Sequence, residues 1–167
     1  MRRAPVTPEP VGPGQESVWD YPRPPRLERT SARLQVVLAG QVVAETTEGY
    51  RVLETSHPPT YYLPPDSFAP GSVRPVAGSS VCEWKGEAAY GDLLCGDVVA
   101  RRALWWYPRP TRPFLPIAGY LAVMPGLVDA CLVDGERVVP QPGGFYGGWV
   151  TSSVVGPFKG GPGTHGW

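Results

Sequence analysis

The sequence predicts a compact all-β domain, a mostly antiparallel sandwich or partly open barrel with Pro/Gly-rich loops and at most one or two short helical turns. Glycine (21) and proline (22) together make up about a quarter of the 167 residues, which favours short strands joined by tight turns. The six Trp, eight Tyr and four Phe are too many aromatic residues for a disordered chain. Runs of β-branched residues are separated by two-residue turn signals, which are typical of hairpins.

The clearest strand signals form two hairpins. Residues 33–47, RLQVVLAGQVVAETT, carry two β-branched runs on either side of Ala39-Gly40, and residues 130–140, ACLVDGERVVP, have Asp134-Gly135 at the turn. Residues 50–56, YRVLETS, predict a further strand by their alternation. Proline suits the first turn of a helix, so residues 64–67 predict one short helical turn.

The length of the chain suits one domain. Residues 1–17 are rich in Pro and Gly without hydrophobic periodicity, and they predict a flexible tail. Residues 18–167 predict a single β domain that includes a Gly-rich C-terminal wrap. Within it, residues 97–108 predict a strand, and residues 117–126 predict an apolar strand buried on both faces.

Charge and composition exclude several classes of partner. The net charge is zero, with 15 basic and 15 acidic residues, whereas proteins that bind nucleic acid through its phosphates usually carry a basic excess. No apolar run approaches the ~20 residues needed to span a bilayer, and the N-terminal residues lack the apolar stretch of a secretory signal. We therefore expect a soluble cytoplasmic protein that binds neither nucleic acid nor a membrane.

The cysteines predict neither a disulfide framework nor a metal centre. Cys82, Cys95 and Cys131 are widely spaced and form no C-x-x-C pair, so we expect three free thiols in a reducing compartment. The sequence also lacks the phosphate-binding, serine-hydrolase and zinc-protease motifs. We expect no metal and no cofactor.

Residues 81–91, VCEWKGEAAYG, place a thiol, two carboxylates, an amine and a phenol within eleven positions. If they form one strand, alternate residues share a face. Cys82, Trp84 and Tyr90 would then lie on a core face, and Lys85 on the opposite face between the two carboxylates. The pattern predicts a half-buried strand with Lys85 as its one functional candidate.

A second group of candidates lies in residues 53–62, LETSHPPTYY. Glu54 and His57 are three residues apart at a junction between a strand and a loop, where a carboxylate can orient an imidazole as a general base. Tyr61 and Tyr62 would point to opposite faces of an extended segment. We expect one of them in the core and the other exposed or lining a pocket.

Several segments together resemble the bacterial domain-of-unknown-function family number 427, over about residues 17–167. They are RVLETSHPPTYYLPPD, CEWKGEAAY, a W-Y-P segment, GYLAVMP and FYGGW…GPFKGGPGTHGW. The resemblance implies a small, mainly antiparallel β domain. Its motif positions fall here on Glu54, His57, Tyr62, Cys82, Lys85, Gly86 and Tyr90.

A nucleotidyltransferase label is sometimes attached to this family. That chemistry requires a Gly-Ser followed by two carboxylates one residue apart, which hold Mg²⁺ on a triphosphate. Gly78-Ser79 and Asp92 fit the first part of the pattern, but Leu94 stands where the second carboxylate should be. We therefore set the label aside for this chain.

These residues predict a domain that binds a small polar or anionic metabolite in an aromatic-lined pocket. Tyr62 and Tyr90 would contribute to its wall, with Glu54, His57 and Lys85 as polar anchors. One alternative is an enzyme that uses Glu54, His57 and Lys85 as acid–base groups. The other is a structural or protein-interaction module whose Pro/Trp/Tyr segments mediate packing or formation of a homodimer.

Overall fold

The computed structural model describes residues 5–167, so the first four residues of the predicted N-terminal tail lie outside it. The described residues form fifteen strands: β1 (Glu16–Ser17), β2 (Arg26–Thr30), β3 (Leu34–Leu38), β4 (Gln41–Thr46), β5 (Gly49–Leu53), β6 (Thr60–Tyr62), β7 (Val73–Cys82), β8 (Gly86–Cys95), β9 (Val98–Trp106), β10 (Ala122–Val123), β11 (Ala130–Val133), β12 (Glu136–Arg137), β13 (Val139–Pro140), β14 (Trp149–Val150) and β15 (Val154–Val155). Four 3-10 turns complete the fold: Val18–Asp20, Pro65–Ser67, Arg112–Ile117 and Pro125–Leu127.

The strands form three main sheets and two short pairs. The sheets have the orders β12-β11-β3-β4, β10-β9-β8-β7 and β2-β5-β6, and the pairs are β13–β14 and β1–β15. Only β1 and β15 run parallel among these pairings, and none of the sheets formed by residues 5–167 closes into a barrel. The predicted all-β, mostly antiparallel class is confirmed.

Both predicted hairpins are present. Ala39 and Gly40 connect β3 to β4 with φ angles of 52° and 71°, and Asp134 and Gly135 connect β11 to β12 with φ angles of 49° and 81°. Two consecutive left-handed residues are the geometry of a turn whose twist matches that of the flanking strands. The local sequence therefore suffices to specify these two elements.

The structure has more helical turns than the one or two that the sequence predicts. The predicted turn is there, at Pro65–Ser67, and the other three are additional. Prolines stand in the first helical positions at Pro65–Ser67, Arg112–Ile117 and Pro125–Leu127. Proline has its φ angle already set for a helical start, and this favours short turns in a proline-rich chain.

Residues 117–126 do not form the single buried strand that we predicted. The 3-10 turn extends to Ile117, Gly119 has a φ angle of 74°, and only Ala122–Val123 pair with β9. The three residues that precede Gly119 include Pro116, which has no backbone N–H for a sheet. The segment is apolar because it is buried, but its backbone is mostly irregular.

Two apolar clusters lie on opposite faces of the sheet β10-β9-β8-β7. Leu104 belongs to the first cluster, which also contains Leu34, Val36 and Trp149. The next residue on β9, Trp105, packs against the second, as expected when neighbouring strand residues point to opposite faces. This second group is termed the aromatic cluster, and its aromatic members are Tyr62, Tyr107, Phe114, Tyr50, Trp84, Tyr90, Trp105 and Tyr120.

Tyr61 and Tyr62 are both buried, at 5% and 1% exposure. Tyr61 packs in the first apolar cluster and Tyr62 in the aromatic cluster. Strand β6 therefore lies between the two clusters. The two side chains point to opposite faces, as expected, but neither of them is exposed.

The segment before β2 lies against the C-terminal segment. Strand β1 pairs with β15, and Glu9 is joined to Gly156 through a backbone bond of 2.8 Å and a carboxylate bond of 2.6 Å. The division of the chain at residue 17 into tail and domain stays a prediction. In the part of the chain that is described, no helix is long and apolar enough to cross a membrane.

Candidate functional site

The chain reverses direction within residues 81–91. Strand β7 ends at Cys82, β8 begins at Gly86, and these two residues pair directly. Thr111 holds the intervening turn, because its backbone N–H donates to the carbonyl of Lys85 at 3.1 Å and its hydroxyl donates to the carbonyl of Trp84 at 2.6 Å. The predicted single strand is therefore wrong.

This turn reverses the predicted orientation of Lys85. Its ammonium lies 5.7 Å from the ring centre of Tyr107 and 5.9 Å from that of Phe114, and both rings belong to the aromatic cluster. The side chain is half-buried on the same side as Cys82 and Tyr62. Lys85 thus faces the aromatic cluster, whereas the sequence pattern placed it between Glu83 and Glu87.

The Lys85 ammonium has no ion-pair partner within residues 5–167. Burial lowers its pKa, but Tyr62, Cys82 and Glu54 raise it, and the pKa of Lys85 lies above its ordinary value. Among these groups Cys82 contributes a sulfur atom, and sulfur is a weak hydrogen-bond acceptor. Lys85 is therefore a protonated, half-buried cation without a carboxylate beside it.

Two phenols stand next to this cation. Burial raises the pKa of Tyr62, with Lys85, Trp105 and Tyr107 acting to lower it. Burial, together with Tyr62 and Cys82, also raises the pKa of Tyr107 well above its usual range. Both hydroxyl groups therefore keep their protons and can donate hydrogen bonds.

Glu54 and His57 lie just beyond the end of β5. The backbone N–H of His57 donates to the carbonyl of Glu54 at 3.0 Å, and Nε2 of His57 is 3.5 Å from Oε2 of Glu54. Nε of Arg23 is also 3.5 Å from this oxygen. The local spacing of Glu54 and His57 thus brings the two side chains together.

His57 is neutral at physiological pH. Its side chain is 12% exposed, and burial, followed by the charges of Lys159, Arg23 and Lys85, lowers its pKa to about 4. Because Lys85 acts on His57 and Glu54 acts on Lys85, these groups share one electrostatic environment. We call Lys85, Tyr62, Cys82, Tyr107, Glu54 and His57 together the Lys85 site.

Tyr90 lies at the partly buried margin of the aromatic cluster. The guanidinium of Arg102 stacks over its ring at 4.5 Å, and its hydroxyl is hydrogen-bonded to Ser80. Arg102 has a φ angle of 52°, and its N–H donates to Asp92 at 2.8 Å. Tyr90 is thus occupied by contacts from within the chain.

Sequence reasoning missed Gln141, which is 3% exposed. Its side-chain nitrogen is 3.0 Å from Nδ1 of His57, although the two residues are 84 positions apart. The ring of Tyr146 stands edge-on to His57 at 4.7 Å. A glutamine between two prolines matches no motif, so no local signal pointed to it.

Two depressions, of about 340 and 320 Å³, share Val42, Val43 and Ala69 in their linings and include none of the residues of the Lys85 site. In the described part of the chain, no three His, Cys, Asp or Glu side chains are grouped to hold a metal ion.

The family model described as a domain of unknown function (DUF427) matches residues 26–134, a range that contains β2 to β11 and every residue of the Lys85 site. Arg23, Gln141, Tyr146 and Lys159 lie outside it. No curated protein matches the chain.

Proposed function

The chain belongs to the DUF427 family, and we propose that it binds a small polar or anionic metabolite at the Lys85 site. The observation that carries this proposal is the half-buried ammonium of Lys85, which has no carboxylate partner in residues 5–167. Removing a charge from water without a counter-charge costs free energy. An anionic ligand group beside Lys85 would offset that cost.

The surroundings of Lys85 support a ligand with acceptor atoms. The Lys85 ammonium lies 5.7 Å from the ring centre of Tyr107, and both Lys85 and Tyr107 act on the pKa of Tyr62, so three hydrogen-bond donors border the site. The adjoining surface is formed by the aromatic cluster, whose Trp84 and Trp105 are only partly buried. Apolar walls with a few convergent polar groups are typical of small-molecule sites.

The charge around the site also favours an anion. Lys85, Lys159 and Arg23 all act on His57, and Glu54 is the acidic side chain that approaches it. Lys85 and Lys159 are the only lysines in a chain whose net charge is zero. Concentrating positive charge in this way raises the local concentration of anions.

The same geometry supports binding better than acid–base catalysis by Lys85 or His57. A nucleophilic lysine needs a lowered pKa, whereas the pKa of Lys85 is raised. A general base works best with a pKa near the operating pH, whereas the pKa of His57 is lowered to about 4. Lys85 therefore acts as a fixed positive charge in this proposal.

Native mass spectrometry of the protein purified from its own source tests the proposal. We expect a bound anionic small molecule on the wild type and its loss from Lys85→Met, which keeps a similar chain length without the charge. A charge-assisted hydrogen bond of ~1.5–3 kcal/mol corresponds to a decrease in affinity of roughly 10- to 100-fold. Arg137→Met removes an exposed charge on β12 and should retain the ligand. Equal occupancy in Lys85→Met and the wild type, or no anionic ligand on either, would contradict the proposal.

A further inference from the structure

Gln141 has a side-chain amide whose orientation is set by the backbone. Its Oε1 accepts a hydrogen bond from the N–H of Gly148 at 3.1 Å, and its Nε2 donates to the carbonyl of Lys159 at 2.8 Å. A carbonyl cannot donate and an N–H cannot accept. These two backbone partners therefore decide which end of the amide is the NH₂ group.

The second hydrogen of that NH₂ group points to His57. Nε2 of Gln141 is 3.0 Å from Nδ1 of His57, so Nδ1 must be the acceptor. In a neutral imidazole one nitrogen accepts and the other carries the proton. The proton is thus on Nε2, which faces Oε2 of Glu54 at 3.5 Å.

We propose that Gln141 is a positioning residue that holds His57 in the Nε2–H tautomer and so supplies the Lys85 site with a neutral hydrogen-bond donor. The acceptor that faces this donor in the structure is Oε2 of Glu54, and a ligand group that takes its place must also be an acceptor, such as an oxygen of a carboxylate or phosphate. The tautomer is fixed with or without a ligand. Only the donor role of His57 towards a ligand rests on the proposed function.

The groups that face His57 come from four parts of the chain. Arg23 precedes β2 and Glu54 follows β5, while Lys85 lies in the β7–β8 turn and Lys159 follows β15. The three cations disfavour a charged imidazole, and Glu54 favours it. The ring of Tyr146 covers one edge of His57 at 4.7 Å.

Nitrogen-15 NMR of the histidine side chains measures the tautomer directly, and the chain contains only two histidines, His57 and His165. In the wild type we expect the Nε2–H form of His57. Gln141→Glu presents a carboxylate, which can only accept, so the proton should move to Nδ1 and the pKa of His57 should rise by at least about one unit. Gln141→Met removes the donor and should give a mixture of tautomers. Gln41→Glu adds the same charge at an exposed position on β4 and should leave the tautomer of His57 unchanged.

An Nδ1–H tautomer in the wild type would overturn the proposal. The proposal would also be overturned if the tautomer and the pKa of His57 stayed the same in Gln141→Glu. If that variant does not fold, the same result in Gln141→Met would overturn it. The measurement needs no ligand. Its failure would therefore leave the binding of an anion at Lys85 intact, and a failure to bind anions would leave the tautomer assignment intact.

Discussion

Lys85→Met should weaken the binding of an anion roughly 10- to 100-fold while changing the stability of the fold very little. The substitution keeps the side chain that packs against the aromatic cluster and removes the ammonium. The two rings lie 5.7 and 5.9 Å away, close to the ~6 Å limit of cation–π attraction, so each contact contributes about 0.5 kcal/mol. At neutral pH the phenol of Tyr62 is uncharged, and the carboxylate of Glu54 provides only a distant attraction.

The loss of these attractions is opposed by the removal of a desolvation cost. A fully buried ion costs several kcal/mol, and a half-buried ammonium costs a fraction of this, at least about 1 kcal/mol. The two contributions nearly cancel. We therefore expect the free energy of unfolding of Lys85→Met to lie within about 1 kcal/mol of the wild-type value.

Urea unfolding followed by tryptophan fluorescence checks this expectation. With a slope of ~1–3 kcal/mol/M, the midpoint should move by less than about 1 M. Lys159→Met is the matched control, because the ammonium of Lys159 donates to the carbonyl of Trp167 at 3.0 Å, and its removal should destabilise the fold by about 1 kcal/mol. A loss of more than ~3 kcal/mol in Lys85→Met would show an essential structural cation and refute the reasoning.

Three further expectations concern the surroundings of the site. The pKa of His57 is about 4 in the folded state and ~6.5 in an unfolded chain. Between these pH values the unfolded state binds more protons than the folded state. The free energy of unfolding should therefore fall by about 3 kcal/mol as the pH drops from 6.5 to 4. His57→Gln should flatten this part of a pH series of urea midpoints, and an unchanged slope would contradict the assignment. Gly147→Ala should destabilise the fold by ~1–3 kcal/mol and alter tryptophan fluorescence, because a Cβ there would lie 2.1 Å from the ring of Trp105; unchanged fluorescence and stability would count against this packing. Arg51 is 17% exposed and lies between the carboxylates of Glu16 and Glu28. Arg51→Met should lower the free energy of unfolding by about 2 kcal/mol, because Glu16 then keeps only the hydroxyl of Tyr21 as a partner within the described residues. A urea midpoint like that of the wild type would show that the pair is not coupled to folding.

The parts of the fold that the sequence predicted are those with local determinants. Ala39-Gly40 and Asp134-Gly135 specify their turns through two adjacent residues with left-handed backbone. The turn at residues 83–85 has no such signal of its own. It is held by Thr111, 27 positions from Trp84, and alternation alone could not reveal it.

In the candidate site, too, the contacts between residues close in sequence were predicted and those between distant residues were not. Glu54 and His57 are neighbours in sequence, and their spacing was enough to predict that they meet. The aromatic rings beside Lys85 come from Tyr107, which follows the end of β9, and from Phe114 in the next 3-10 turn. The partner of the imidazole, Gln141, is still more distant, so strand parity placed Lys85 on the wrong face and gave no indication of the tautomer of His57.

An NMR titration of the lysine side chains with inorganic phosphate tests the central claim most directly. The two lysines, Lys85 and Lys159, give separate signals, and Lys159 serves as an internal reference because it already has a carbonyl acceptor. We expect the Lys85 signal to shift to saturation with phosphate, the Lys159 signal to shift less, and chloride at the same ionic strength to produce neither saturable change. Equal shifts of both lysines with either salt, or no shift of Lys85, would contradict an anion site at Lys85.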